Sequence, residues 1–150
     1  MSLSKVPNPF FIDIEASSLS SRSYPIEIAW INAKDEQDTF LIQPHNTWTD
    51  WDEDAQQIHG ITREDIQKNG ITIEDACLKL NEALSDQVIY SYNADYDYDW
   101  IQTLFKRSND AFIMPEFVIT QLPDSEGKQI LAESEKKHRA LDDCKALMNY

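Results

Sequence analysis

An α/β fold around a mixed five-stranded sheet is predicted by three features of the sequence. Its first third reads as three strands separated by turn chemistry, and the remainder alternates helical with strand periodicity. At 150 residues with 41% hydrophobic side chains, the chain is long and apolar enough for one domain with a single core. Residues 1–9 are expected as a flexible N-terminal segment.

The first strand is FFIDIEA, 10–16. Alternation sends Phe10, Ile12 and Ile14 to one face and Phe11, Asp13 and Glu15 to the other. Pro25 opens the second strand, IEIAWIN, and TFLIQP (39–44) reads as the third. The turn-prone NAKDEQD between them makes a hairpin, so these strands form an antiparallel meander. Helix starts follow at Asp50 or Asp52, at Thr62 (T-R-E-D, a capping-box pattern) and at Thr72. Ile73, Ala76, Cys77, Leu80 and Leu84 then repeat at helical spacing, which gives a helix over 72–84 with one face on the core. VIYSY (88–92) is a short buried strand, 95–107 a long helix, and EFVIT (116–120) the fifth strand, followed by the loop LPDSEGK. Helix is expected again over 129–137 and 139–150. The strands after the meander are separated by helices, and such strands run parallel.

The charge balance is strongly acidic: 27 acids against 13 bases, net −14. That argues against a surface that grips long nucleic acid electrostatically. No apolar run is long enough to span a bilayer, and the polar start MSLSKVPNP is not a signal peptide, so no membrane partner is expected. Cys77 and Cys144 fall on apolar helix faces and read as buried free thiols of a reducing, cytoplasmic compartment. No Cys/His pattern has zinc spacing.

Helical periodicity separates the remaining acids. Counting back four from Ile101 puts Asp97 on the core side of its helix, while Asp95 and Asp99 share the wet side with Gln102 and Lys106. In the last helix Asp143 borders the face of Ala140, Cys144, Leu147 and Met148, and Asp142 lies outside with Lys145. Asp13, Glu15, Asp97 and Asp143 are thus candidates to meet at one end of the sheet. Carboxylates desolvated together repel one another and take up protons unless a cation joins them. Oxygen donors without Cys or imidazole suit Mg²⁺ or Mn²⁺ better than zinc.

FIDIEASSL resembles the first motif of the DnaQ-like (DEDD) 3′→5′ exonucleases, a strand carrying D-x-E followed by small residues and an apolar one. YNADYD (92–97) matches their second motif, N-A-x-[FY]-D, and HRALDD (138–143) their third, H-x-A-x-x-D. IHGIT (58–62) is also frequent in the family. The resemblance covers residues 10–150 and implies a ribonuclease-H-like fold and the histidine-using (DEDDh) subclass. It further implies that Asp13, Glu15 and Asp143 hold a first Mg²⁺ or Mn²⁺, that Asp13 bridges to a second ion, and that Asp97 completes the shell through water. His138 would be the general base, and Ala16, Ser17 and Leu19 would meet the terminal nucleotide, with Leu19 as a wedge. An imidazole and two ions suit in-line displacement at phosphorus near neutral pH.

The activity so implied is metal-dependent 3′→5′ exonucleolysis that releases nucleoside monophosphates. Two departures from the family, an interval of only 41 positions from Asp97 to His138 and the acidic surface, favour a short or single-stranded 3′ end as substrate. The residues do not show the oligomeric state; the resemblance leaves a homodimer open, because relatives are often dimers. Nothing in the residues separates DNA from RNA. Two other readings stay open on the same fold: a non-catalytic nucleic-acid-binding or protein-interaction module, and a phosphodiesterase acting on small nucleotides. His59 reads as structural at a helix end, and Trp48 and Trp51 as anchors of a loop. Lys106, Arg107, Lys136, Lys137, Arg139 and Lys145 are either a local phosphate grip or ordinary helix-end charge.

Overall fold

The structure, a computed structural model, describes residues 8–108, 112–123 and 139–148. The expected helix over 129–137, most of the loop before it, His138 and nearly all of the N-terminal segment lie outside them.

Five strands form one sheet of order β3-β2-β1-β4-β5: β1 (Phe10–Ala16), β2 (Pro25–Asn32), β3 (Gln37–Leu41), β4 (Val88–Ser91) and β5 (Val118–Gln121). The pairs β1–β2 and β2–β3 are antiparallel, whereas β1–β4 and β4–β5 are parallel. Helices α1 (Glu53–His59), α2 (Arg63–Asn69) and α3 (Ile73–Leu84) follow the meander, α4 (Ala94–Lys106) follows β4, and α5 (Ala140–Met148) closes the described chain.

Alternation along β1 divides the interior as the sequence predicts. Phe10, Ile12 and Ile14 enter the core shared with Leu80 of α3 and Ile101 and Leu104 of α4. Phe11 faces the other way, into a smaller core with Ala29, Ala140 and Cys144. The sheet is therefore covered by α3 and α4 on one side and by α5 on the other. Both cysteines are buried free thiols. Among the described residues no helix is long and apolar enough to cross a membrane.

Local signals account for the helix starts. Asp52, Thr62 and Thr72 each cap with a side-chain oxygen, and Thr62 forms the full capping box with Asp65. Gly60 ends α1 at φ 73°, a left-handed geometry that favours glycine.

Two strands are displaced from expectation. β3 ends at Leu41 rather than at residue 44, because the chain beyond it joins Ile71: Ile42 bridges Ile71, and Gln43 N–H donates to the Ile71 carbonyl at 2.8 Å. The crossing depends on Gly70, where a Cβ would sit 2.6 Å from the Gln43 nitrogen. β5 starts at Val118 rather than residue 116, because the Glu116 carbonyl accepts from Asp86 N–H at 2.7 Å in a loop contact.

Candidate active site

The period of two along β1 puts Asp13 and Glu15 on the face that α5 covers, and Asp143 approaches from the first turn of α5. One carboxylate oxygen from each of Asp13, Glu15 and Asp143 lies within 4.8 Å of the other two. Asp97 comes from the first turn of α4, is 1% exposed, and stands outside that triangle. Its neighbours Asp95 and Asp99 are exposed, as is Asp142.

Burial and mutual repulsion dominate the electrostatics. Desolvation first, then Glu15, Asp97 and Asp143, push the Asp13 carboxyl well above the carboxylate range, and Asp13 shares a hydrogen bond with Asp143. Glu15 is pushed up to about 9 by burial, Asp143, Glu27 and Asp97, against the opposing pull of Arg139. Asp97 is raised to about 8 by burial, although the Ser91 hydroxyl donates to its Oδ2 at 2.5 Å. A bound cation would oppose both the burial and the repulsion behind these shifts.

The residues fit a divalent cation. The donors are all oxygen, and two buried atoms, Asp13 Oδ2 and Asp97 Oδ1, meet no hydrogen-bond donor. Buried acceptors left without donors are rare in a finished site, and hard cations take such oxygens.

A stability test follows from the raised values. A carboxyl that titrates higher in the folded than in the unfolded chain stabilises the fold while protonated, and that contribution is lost as pH rises through the folded value. For Glu15 and Asp97 the loss extends to about 9 and about 8. Metal-free protein in EDTA is expected to lose about 5 °C or more in Tm between pH 6 and pH 9, and saturating Mg²⁺ or Mn²⁺ to remove most of that loss. A metal-free Tm that stays flat or rises across this window contradicts the assignment.

The surrounding positions were legible only in part. Glu27, on β2 opposite Glu15, is 3% exposed and receives the Arg139 guanidinium on both oxygens, with Nε at 3.1 Å from each. It also accepts from the Ala140 backbone N–H at 2.9 Å, so one carboxylate anchors the start of α5 three residues before Asp143. Arg139 is thereby committed to Glu27 rather than standing as free helix-end charge. A charge inside the apolar IEIAWIN was the available signal. On α4, Asn93 caps with no side-chain bond, and Gln121 Oε1 takes the Ala94 N–H at 2.8 Å instead. Gln121 Nε2 in turn donates to the carbonyls of Tyr92 and Leu122, so β5 holds the turn that carries Asp97.

Of the residues expected at the terminal nucleotide, Leu19 is 68% exposed beside the site-bearing strand, whereas Ala16 and Ser17 are buried. The Ser17 N–H already donates to the Tyr24 carbonyl at 3.1 Å, and its own carbonyl accepts from Asp52 N–H at 3.0 Å. His59 is buried at the end of α1, its Nδ1 accepting the Ile61 N–H at 3.0 Å. Trp48 stacks on Tyr24 at 5.1 Å, and Trp51 donates to Gln56 beneath the Arg63 guanidinium, so both anchor their loop.

A mixed sheet with the meander on one side, parallel strands on the other and clustered carboxylates on its central strand defines a ribonuclease-H-like protein with a candidate cation site. A family model described as an exonuclease, RNase T type, matches residues 10–150. The chain belongs to this DnaQ-like exonuclease family. Among solved structures it is similar to Exonuclease I of E. coli in complex with a dA16 oligonucleotide (TM-score 0.73, 16% identity, 94% of this chain and 39% of that one). Exonuclease I of Methylocaldum szegediense matches with a TM-score of 0.71 and 16% identity over 94% of this chain and 38% of that one. The chain thus spans about two fifths of the length of these proteins. No curated protein matches it at a significant level.

Proposed function

We propose that the chain is a divalent-cation-dependent 3′→5′ exonuclease acting on the 3′ end of single-stranded or short nucleic acid. The observation that carries this reading is the convergence of Asp13, Glu15 and Asp143, with oxygens within 4.8 Å, in a chain of an exonuclease family. The E. coli Exonuclease I structures include complexes with dA16 and dT13 oligonucleotides, which supports a nucleic-acid substrate here.

In this reading Asp13, Glu15 and Asp143 would hold Mg²⁺ or Mn²⁺, as a pair of ions, with Asp97 completing the set. Cations held there would supply positive charge to offset that of the reacting phosphate. The chain's own groups do the rest. His138, five residues before Asp143, accepts the proton of the attacking water on an imidazole nitrogen. Water adds at phosphorus as the bond to the 3′ oxygen of the penultimate nucleotide breaks, which frees a nucleoside 5′-monophosphate and a strand with a new 3′-hydroxyl. The pair Glu27–Arg139 fixes the start of α5 and with it Asp143, while Ser91 orients Asp97. Leu19, exposed past the end of β1, presses on the terminal base. A homodimer belongs to the same proposal.

The test is degradation of 3′- and 5′-labelled single-stranded DNA and RNA with Mg²⁺, Mn²⁺ or EDTA. A ladder shortening from the 3′ end, abolished by EDTA, is expected. Hydrolysis of a dinucleotide but not of a 20-mer would move the assignment to a small-nucleotide phosphodiesterase, and no hydrolysis by cation-loaded protein would leave a binding module.

A further inference from the structure

A cleft of about 590 Å³ opens between the loop that follows β1, the loop around Trp48 and the last turn of α4. Its lining includes Arg22, Lys106 and Arg107, three of the 13 bases in a chain of net charge −14. Arg22, Lys106 and Arg107 are exposed, and none is ion-paired among the described residues. The contrast with Lys79, held by Asp38, and Arg139, held by Glu27, is plain. Three cations without a salt bridge thus line one concave place, and Arg22 lies near enough to Asp50 to help hold that carboxylate charged.

The single carboxylate in the wall is tied down. Asp50 Oδ2 accepts from Ser17 at 2.8 Å and from Ser18 at 2.6 Å, and its Oδ1 from Ser20 at 3.0 Å. It remains charged, so the cleft carries a net charge of about +2. Trp100 Nε1 donates to Ser23 Oγ at 2.9 Å and joins the loop to α4, so both walls are braced.

The cleft also adjoins the end of the strand that carries Asp13 and Glu15, since Asp50 of its wall is held by Ser17 and Ser18 just past β1. The loop leaves β1 after Ala16, one residue past Glu15, and α4 carries Asp97 in its first turn and Lys106 in its last, nine residues on and on the opposite face of the helix. That separation is about 13 Å along the helix axis. A strand reaching the cleft must also round the helix, so its path is at least that long, or about four nucleotides at about 3.4 Å per stacked nucleotide.

We infer that this cleft binds the sugar-phosphate backbone of a single strand a few nucleotides upstream of its 3′ end. The inference rests on the exonuclease reading and extends it to substrate length. Arg22, Lys106 and Arg107 take phosphate oxygens, neighbouring hydroxyls such as Thr103 take phosphate or sugar, and the half-buried Trp48 offers an aromatic surface to a base. It reconciles a chain of net −14 with a polynucleotide substrate, because the attraction is confined to one groove.

The test is fluorescence anisotropy of labelled 12-mers, one DNA and one RNA, with the full chain in EDTA at 50 to 200 mM salt. The triple variant Arg22→Ser/Lys106→Ser/Arg107→Ser is compared with the unaltered protein. Expected is at least about tenfold weaker binding at the lowest salt, with the slope of log affinity against log salt reduced by about 2. Lys106→Glu alone is expected to weaken binding severalfold, which covers the case of a poorly folded triple variant. Preference for the DNA or the RNA strand identifies which polynucleotide the cleft serves. Unchanged affinity and slope in the variants, or no salt-dependent binding by the unaltered protein, overturns the inference. Salt-dependent binding without hydrolysis when cations are added would instead count against the exonuclease reading alone.

Discussion

Asp13→Asn is expected to inactivate the protein and, at the same time, to raise the Tm of its metal-free form. Asp13 is 9% exposed, and its carboxylate faces Glu15, Asp97 and Asp143, with Oδ2 left without a donor. Asn keeps the volume, is neutral without the proton that the buried Asp13 carboxyl must take up on folding, and supplies an N–H₂ donor to an adjacent carboxylate. Relief of about 2 kcal/mol of the cost of burying and protonating Asp13 corresponds to a Tm gain of about 4–8 °C in a chain of this size. Hydrolysis should fall on the order of 10³-fold, since in the proposed function Asp13 is the central cation ligand. The rise in Tm that Mg²⁺ or Mn²⁺ produces in the unaltered protein should shrink to a small remnant. Differential scanning fluorimetry with and without EDTA, beside the labelled-strand assay, reads all three. A variant that keeps more than a tenth of the activity, or melts lower than its parent in EDTA, would remove Asp13 from the centre of the site.

Arg139→Ala should destabilise the fold and weaken cation binding together. Glu27 is buried on β2 across from Glu15, and the guanidinium supplies most of its hydrogen bonds. Without Arg139 a buried carboxylate keeps only the Ala140 N–H and faces Glu15 uncompensated. Breaking a buried pair costs about 3–5 kcal/mol, but the Arg139 side chain is 46% exposed, so solvent screening brings the expectation to about 2–3 kcal/mol. That is a Tm loss of about 5–10 °C. Arg139 also opposes the upward shift of Glu15, so its removal makes Glu15 hold its proton more tightly and raises the cation concentration needed for half-maximal activity. A loss of about 10–100-fold in activity at low cation, partly recovered at high cation, is expected. Arg139→Lys should recover part of the stability and less of the geometry, because lysine lacks the fork. Unchanged Tm and an unchanged cation midpoint in Arg139→Ala would leave the pair without a positioning role.

Much of this arrangement was legible from residues alone, and the reason is the short range of the signals. Alternation along FFIDIEA assigned Asp13 and Glu15 to one face because a strand repeats every two residues. Counting by helical turns separated buried Asp97 from exposed Asp95 and Asp99, and buried Asp143 from exposed Asp142. The caps at Thr62 and Thr72 are contacts over three residues, so they too were readable. The family motifs added the order of the elements and the expected role of His138, which lies outside the described residues.

Contacts over long chain separations were not legible. Glu27 meets Arg139 across 112 positions, and Gln121 caps α4 from 27 positions away. The bend after Leu41 depends on the fit of Gly70 against another segment, and the cationic cleft on two loops meeting the end of α4. By itself the sequence determined which face each acid occupies, because that follows from backbone period and local hydrogen bonding. Only the tertiary structure decided that Asp13, Glu15 and Asp143 come within 4.8 Å, because that distance is set by β1 lying between β2 and β4 and by α5 packing back across them.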